Sequence, residues 1–418
     1  MKPSTVGLSV SVGCVLGCFA AAFAEPNLYT RVTGVTSPHG LKYFMSASQK
    51  LSKGDKRGAI ADYSELIKIE PGNGLFYASR AFLFAELDEE QKAIEDCKSA
   101  LACPNLTAAI YFRVAKTKAL LGDSEGAIED FSHTIALNPK FFQVYSYRAI
   151  EFERLDRYQS ALDDFNTELS KHPDDAWSFS ERAKLHVRMR NSEGARSDFA
   201  RVIKLDPQLG YRARGFIRAE LRDERGAIAD FTEAIKYSPK NAELYRKRGT
   251  AKFTSGDTKG AIADFDMALA IEPNHAGALA RRADAKVRLN DREGALKDFD
   301  SAIKLDPKNA ITYVGRAIAR AEFEDRAGAM ADFEQSLKIY ENSSVYVCRA
   351  DYKSKWGDTS GAISDYTVAL KYRPKDASTY KARGELRLRA GDLAGAQSDF
   401  VQAAKFTIHD KVRLPVVF

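Results

Sequence analysis

The stretch Gly256–Pro273, GDTKGAIADFDMALAIEP, decides the fold, because the chain repeats it. It returns as GDKRGAIADYSELIKIEP at Gly54–Pro71 and as GDSEGAIEDFSHTIALNP at Gly122–Pro139. Looser copies are RDERGAIADFTEAIKYSP at Arg222–Pro239 and NDREGALKDFDSAIKLDP at Asn290–Pro307. The closing prolines, at Pro71, Pro104, Pro139, Pro173, Pro207, Pro239, Pro273, Pro307 and Pro374, set a spacing of about 34 residues, the period of a helix–turn–helix repeat. Eleven units follow, starting near residues 40, 74, 108, 142, 176, 208, 242, 276, 310, 343 and 377. The spacing Pro207–Pro239 is shorter than the rest, and Glu341 stands where one proline is missing.

Each unit reads as two helices. In the first, positions four, eight and eleven fall on one face at a period of 3.6 residues. Gly54, Gly122, Gly256, Gly357 and Gly391 can close that helix in the left-handed conformation, and the aspartate after each can cap the next one. The proline then stops the second helix. A glycine just inside the second helix (Gly58, Gly126, Gly260 and their counterparts) costs about 1 kcal/mol relative to alanine. Its recurrence is read as a close approach of two helix backbones.

Position four is aromatic in nearly every unit (Tyr43, Tyr77, Tyr111, Tyr145, Phe179, Tyr211, Tyr245), and position eight is alanine or glycine (Ala81, Ala115, Ala149, Gly215, Gly249). With the later alanine, aromatic and proline, this order resembles the tetratricopeptide repeat. The resemblance implies an all-α, right-handed superhelical solenoid whose first helices line a concave groove for peptides or partner helices. It covers nearly all of the chain after the first forty residues. A repeat array also overrides a domain count taken from length, since each unit contacts only its neighbours.

Two further positions recur in phase. Position 23 is aspartate in all eleven units, from Asp62 to Asp399, and position seven is arginine in nine, from Arg80 to Arg383. Antiparallel helices joined at a tight turn bring these positions together. Their recurrence along the whole array marks them as structural ion pairs rather than a ladder for a ligand.

The ends read differently. Residues 1–24 hold Lys2, an apolar run Val6–Ala22 and the small-x-small pattern Ala22-Phe23-Ala24, read as a cleaved secretory signal peptide. An uncleaved membrane anchor and lipidation at Cys18 are the alternatives. Residues 25–39 read as a linker, 40–407 as the array and 408–418 as a tail. The apolar end of that tail is expected to cover the last helix, because a terminal repeat needs a cap. The expected location is periplasmic or extracellular. Cys97, Cys103 and Cys348 follow the signal and carry no disulfide framework, and Cys97 occupies an aromatic core position.

The net charge of +6 and a pI near 8.8 come from interspersed charges, which hints at acidic partners and not at a nucleic-acid tail. The six histidines show no paired metal spacing and are read as surface residues. No phosphate loop appears, and no stretch outside the repeats is long enough for a catalytic domain. An enzyme, a cofactor, a metal site and a nucleic-acid partner are therefore not expected. Self-association remains possible.

By the resemblance, groove positions in the central units fall on Trp177, Lys184, Arg188, Arg212, Phe216, Arg246, Thr250, Phe253 and Arg288. Arginines beside aromatic rings suit an extended chain with acidic and apolar side groups. The carboxylate clamp known in the family is not matched, since position nine holds no asparagine in any unit. The expected function is that of an exported scaffold for protein contacts. An envelope assembly factor and a glycan-binding envelope protein are the alternatives.

Overall fold

The computed structural model describes residues 37–410. The signal segment, most of the linker and the tail beyond Asp410 lie outside the described residues. Among those described there are twenty-two α-helices and no strand. They pair into eleven repeats whose opening helices start at Pro38, Gly74, Ala108, Val144, Ala176, Pro207, Ala242, Ala276, Ala310, Ser343 and Ala377. The chain divides into two compact units, one ending at Asp198 and the other beginning at Phe199. The first holds repeats 1–4 and the opening helix of repeat 5, the second holds repeats 6–11, and the helix Ser192–Leu205 carries the boundary.

The first helix begins at Pro38, inside the stretch read as linker. The Ser37 hydroxyl accepts the Gly40 amide at 2.9 Å, and proline at the first helical position needs no amide partner. The last helix runs to Asp410, into the stretch read as tail.

The turn inside every repeat contains one left-handed residue. Five are the glycines expected, and the other six are Asp88, Asp156, Arg190, Arg222, Asn290 and Glu324, with φ between 58° and 66°. The turn is thus set by the packing of the helix pair, and glycine only lowers its cost.

The glycine early in the closing helix has a different cause from the one expected. A Cβ on Gly260 would lie 2.1 Å from Oδ2 of Asp257, not against a neighbouring helix backbone. Asp257 Oδ1 accepts the Gly260 amide at 2.9 Å, and the absent side chain leaves room for that cap. The same cap, by aspartate or by Asn191, occurs wherever this glycine occurs. Where Lys92 and Ser160 replace it, the caps Glu89 and Arg157 make no side-chain bond. True backbone crowding is found at Gly210, where a Cβ would meet the Ile203 backbone at 2.7 Å. There Asp206 alone separates two helices, so the shortened repeat is closed by glycine and Pro207 together.

The core of each pair is built from positions eight, 20 and 24. Position 20 is alanine throughout, fully buried from Ala59 to Ala362 and nearly so at Ala396. Phe131, Phe165, Phe231, Phe265, Phe299 and Phe333 at position 24 are at most 1% exposed. A Cβ on Gly249 would meet the Phe265 ring at 2.8 Å and the Ala261 carbonyl at 3.2 Å, so the small residue at position eight makes room for the ring. Cys97 takes the place of the ring in repeat 2 and is buried, with its thiol pushed up to about 12 by desolvation. In repeat 11, Phe400 is 36% exposed beside Leu393 and Val401.

Polar bonds then lock the register. In nine repeats arginine at position seven grips the aspartate 16 residues later through Nε and Nη2, at 2.6–3.0 Å. In seven of these, Nη1 also reaches 16 residues back, to Ser64, Ser132, Asn166, Thr232, Asp266, Asp300 or Thr367 on the preceding repeat. One guanidinium therefore ties three helices, a use that suits its fixed fork of donors. Repeats 1 and 3 lack the arginine, and Lys50 and Lys118 approach Asp62 and Asp130 instead. Burial pushes the Asp130 carboxyl up, and Lys118 does not fully offset it. Burial also opposes the charge of Asp298, but Arg282 and Lys286 together hold it below the ordinary range.

Candidate binding face of the opening helices

These ladder residues are engaged within the fold, which leaves positions two, five, six, nine, twelve and thirteen of the opening helices for a ligand. In the first compact unit, Trp177 lies 5.0 Å from the Tyr147 ring, and Tyr147 in turn meets Phe112 at 5.3 Å. Lys184 pairs with Glu181 at 2.7 Å and Arg188 with Glu153 at 2.8 Å. Both of these cations are thus shared with an in-chain acid.

The same unit holds a feature that the sequence reading passed over. The Lys116 ammonium lies 4.9 Å from the Tyr147 ring centre, 5.2 Å from Phe82 and 5.9 Å from Phe112. Burial, with a smaller effect from Arg113, pulls its pKa down to about 8. Three aromatic rings from three successive repeats surround one poorly solvated amine. Its signal was present as aromatics at positions five, six and nine of neighbouring units, but it needs inter-repeat geometry to be read.

In the second compact unit the remaining six candidates fall on repeats 6–8. Arg246 donates to Glu243 through Nε at 2.6 Å and Nη2 at 2.5 Å, and His275 Nε2 stands 3.5 Å from the same carboxylate. Burial works against the Glu243 charge, but hydrogen bonds from His275 and Arg246 prevail and hold its pKa at about 2. Phe216 packs edge-on against Phe231 and carries the Lys247 ammonium 4.8 Å above its ring. Arg288 sits 3.7 Å over the Phe253 ring and donates to the Phe253 carbonyl at 2.8 Å. Thr250 spends its hydroxyl on the Arg246 carbonyl at 2.9 Å. Arg212 is half-buried at the position that Arg246 occupies one repeat later.

The structure brings Arg246 next to Thr250 and Arg288 onto Phe253, and it adds Lys247, which the sequence reading did not single out. Around these rings stand Arg212, Arg246, Lys247, Arg281 and Arg288 against Glu220, Glu243 and Asp284. That leaves two more positive than negative groups. Cations held over aromatic faces suit acidic and apolar side chains in company.

Not every histidine is on the surface. His186 is buried beside Asp198 at 3.7 Å and Asn191 at 3.2 Å, and desolvation lowers its pKa. It takes the ladder position where other repeats place lysine or arginine, hence its burial. Among the described residues no helix is long and apolar enough to cross a membrane.

Comparison with known proteins places these repeats. The tetratricopeptide repeat family model matches residues 217–276 and 281–344. Hsc70-interacting proteins 1 and 2 of Drosophila melanogaster are each 40% identical over 65 residues, which is 16% of this chain and 17% of theirs. The match therefore spans only a small part of those relatives. Among solved structures, yeast Tom70 aligns over 88% of this chain and 92% of its own, at 16% identity and a TM-score of 0.49. The protein TTC0263 of Thermus thermophilus aligns over 43% and 99%, at 20% identity and a TM-score of 0.41. The matched segments share their helix pair and buried alanine with the other described repeats, and their arginine–aspartate bond with most of them, so residues 37–410 have the fold of a tetratricopeptide-repeat array.

Proposed function

We propose that this chain is an exported scaffold that holds a partner protein against the opening helices of repeats 6–8. Arrays of this family are in general non-enzymatic platforms for protein contacts. The observation that carries the finer reading is the pair of cation–ring contacts, Lys247 over Phe216 and Arg288 over Phe253, on a face with surplus positive charge. Such a face favours a segment that alternates acidic and apolar side chains, with the rings as anchors and the cations setting orientation. Export rests on the basic start, apolar run and Ala22-Phe23-Ala24 pattern of the first 24 residues.

The test is affinity capture from an extract of the source cells, with residues 25–418 as one bait and a second bait carrying Arg212→Glu, Lys247→Glu and Phe253→Ala. A partner retained by the first bait and lost by the second, with equal helical content in both, supports the face. A partner retained by both overturns it. For export, the mature chain isolated from its source should begin at Glu25, and a chain that still begins at Met1 would defeat the cleaved signal.

A further inference from the structure

Repeats 9 and 10 of the second compact unit frame an open cleft of about 470 Å³ that the face at repeats 6–8 does not include. Its floor is apolar and aromatic, formed by Ile318, Cys348 and Tyr352. Desolvation holds the Cys348 thiol at about 11, so that group is a wall and not a nucleophile. Two phenols point at two carboxylates. Tyr366 donates to Asp351, and Tyr352 donates to Glu322 at 2.6 Å. Burial and these hydrogen bonds push both phenols up, so both remain donors and hold the carboxylates in place.

We infer that this cleft is a seat for a basic side chain, a lysine or arginine of a bound polypeptide. The charge distribution carries the assignment. Buried aspartates of the ladder have cations within 4 Å, whereas Asp351 is exposed, is fixed by a phenol, and has no such cation among the described residues. Glu385 adds to the negative field at Tyr366. Among the described residues that line the cleft the one cation is the chain's own Lys355, 63% exposed, with its ammonium 4.6 Å from the Tyr352 ring and 3.7 Å from Glu322. That ammonium already lies where a guest ammonium would, over an aromatic face and next to a carboxylate, and its exposure leaves it displaceable. A ligand cation there would gain the ring and Glu322 and would also reach Asp351, which Lys355 leaves unpaired. An apolar stem on the Ile318–Cys348 floor completes the match to a long basic side chain.

The reading is separate from the acid-preferring face at repeats 6–8, and its test involves no cellular partner. Trp356 lies 5.7 Å from Tyr352 and reports on the cleft once the other tryptophan is removed by Trp177→Phe. The probes are short Gly/Ser/Leu peptides that differ only in one central residue, Lys, Arg, Gln or Glu, titrated against Trp356 fluorescence at low salt. Saturable binding of the Lys or Arg peptide and not of the Gln peptide is expected. Lys355→Ala should tighten it by about threefold or more by removing the internal competitor. Asp351→Asn keeps an acceptor for Tyr366 and should weaken it at least tenfold. Equal response to the Gln peptide, preference for the Glu peptide, no saturable response from any peptide, or indifference to Asp351→Asn would each overturn the assignment.

Discussion

Lys116 shows what a single side chain costs and contributes in this array. Desolvation among Phe82, Phe112 and Tyr147 lowers its pKa to about 8, against about 10.4 for an unperturbed lysine. The unfolded chain therefore binds this proton more tightly than the folded one. Stability contributed by the site is lowest and level below pH 8, and rises as pH climbs from 8 toward the unfolded value. Lys116→Met should flatten that rise and add on the order of 2 kcal/mol at pH 7. Urea melts of both chains between pH 7 and 10 measure the difference, which cancels every other titrating group. A second residue-scale expectation concerns the left-handed turn at Glu324, φ 66°. Glu324→Gly should stabilise by about 0.5–1 kcal/mol, read as a higher urea midpoint at unchanged slope.

At the scale of the helix pair, the two kinds of glycine separate cleanly. Gly260→Ala displaces only the far end of Asp257, so a lost cap of about 1 kcal/mol is offset by a similar gain in helix propensity. The net change should lie close to zero. Gly210→Ala drives a methyl into the Ile203 backbone and should cost at least about 2 kcal/mol, with the difference visible in parallel melts. The ladder is a further element-scale property. A double-mutant cycle on Arg248 and Asp264 should give a coupling of about 1–3 kcal/mol, and strictly additive losses would exclude the pairing as a source of stability.

This scale also explains what could be read in the sequence. Period, helix boundaries and the Arg248–Asp264 type of pair were legible because each depends on phase alone. The purpose of Gly260 was misread, because a missing side chain does not say which neighbour it makes room for. Lys116 and Lys247 were passed over because their rings come from other repeats, and the angle between repeats is not written in any one of them. His186 was misplaced for a different reason: it stands at the phase position where other repeats set lysine or arginine against the buried aspartate, and its histidine type drew attention away from that phase. Of the candidate face, the residue types were visible in advance. The acids that occupy Lys184, Arg188 and Arg246 were not.

For the whole molecule, the guanidinium ladder has a consequence for how such a chain lengthens and shortens. Seven of the nine ladder arginines look both 16 residues forward and 16 residues back, and both distances stay inside one period. Excision of residues 242–275 would bring Arg282 opposite Thr232 in place of Asp266, and Thr232 already serves Arg248 in that way. That shortened chain should fold with the same helical fraction per residue, as circular dichroism would show, whereas loss of only residues 242–258 should not. Unequal crossing-over between the copies that encode repeats 7 and 8 would then yield, at an exchange of one full period, a chain in which the next arginine still faces an acceptor. The bond that holds three helices together is also what makes the number of repeats free to change.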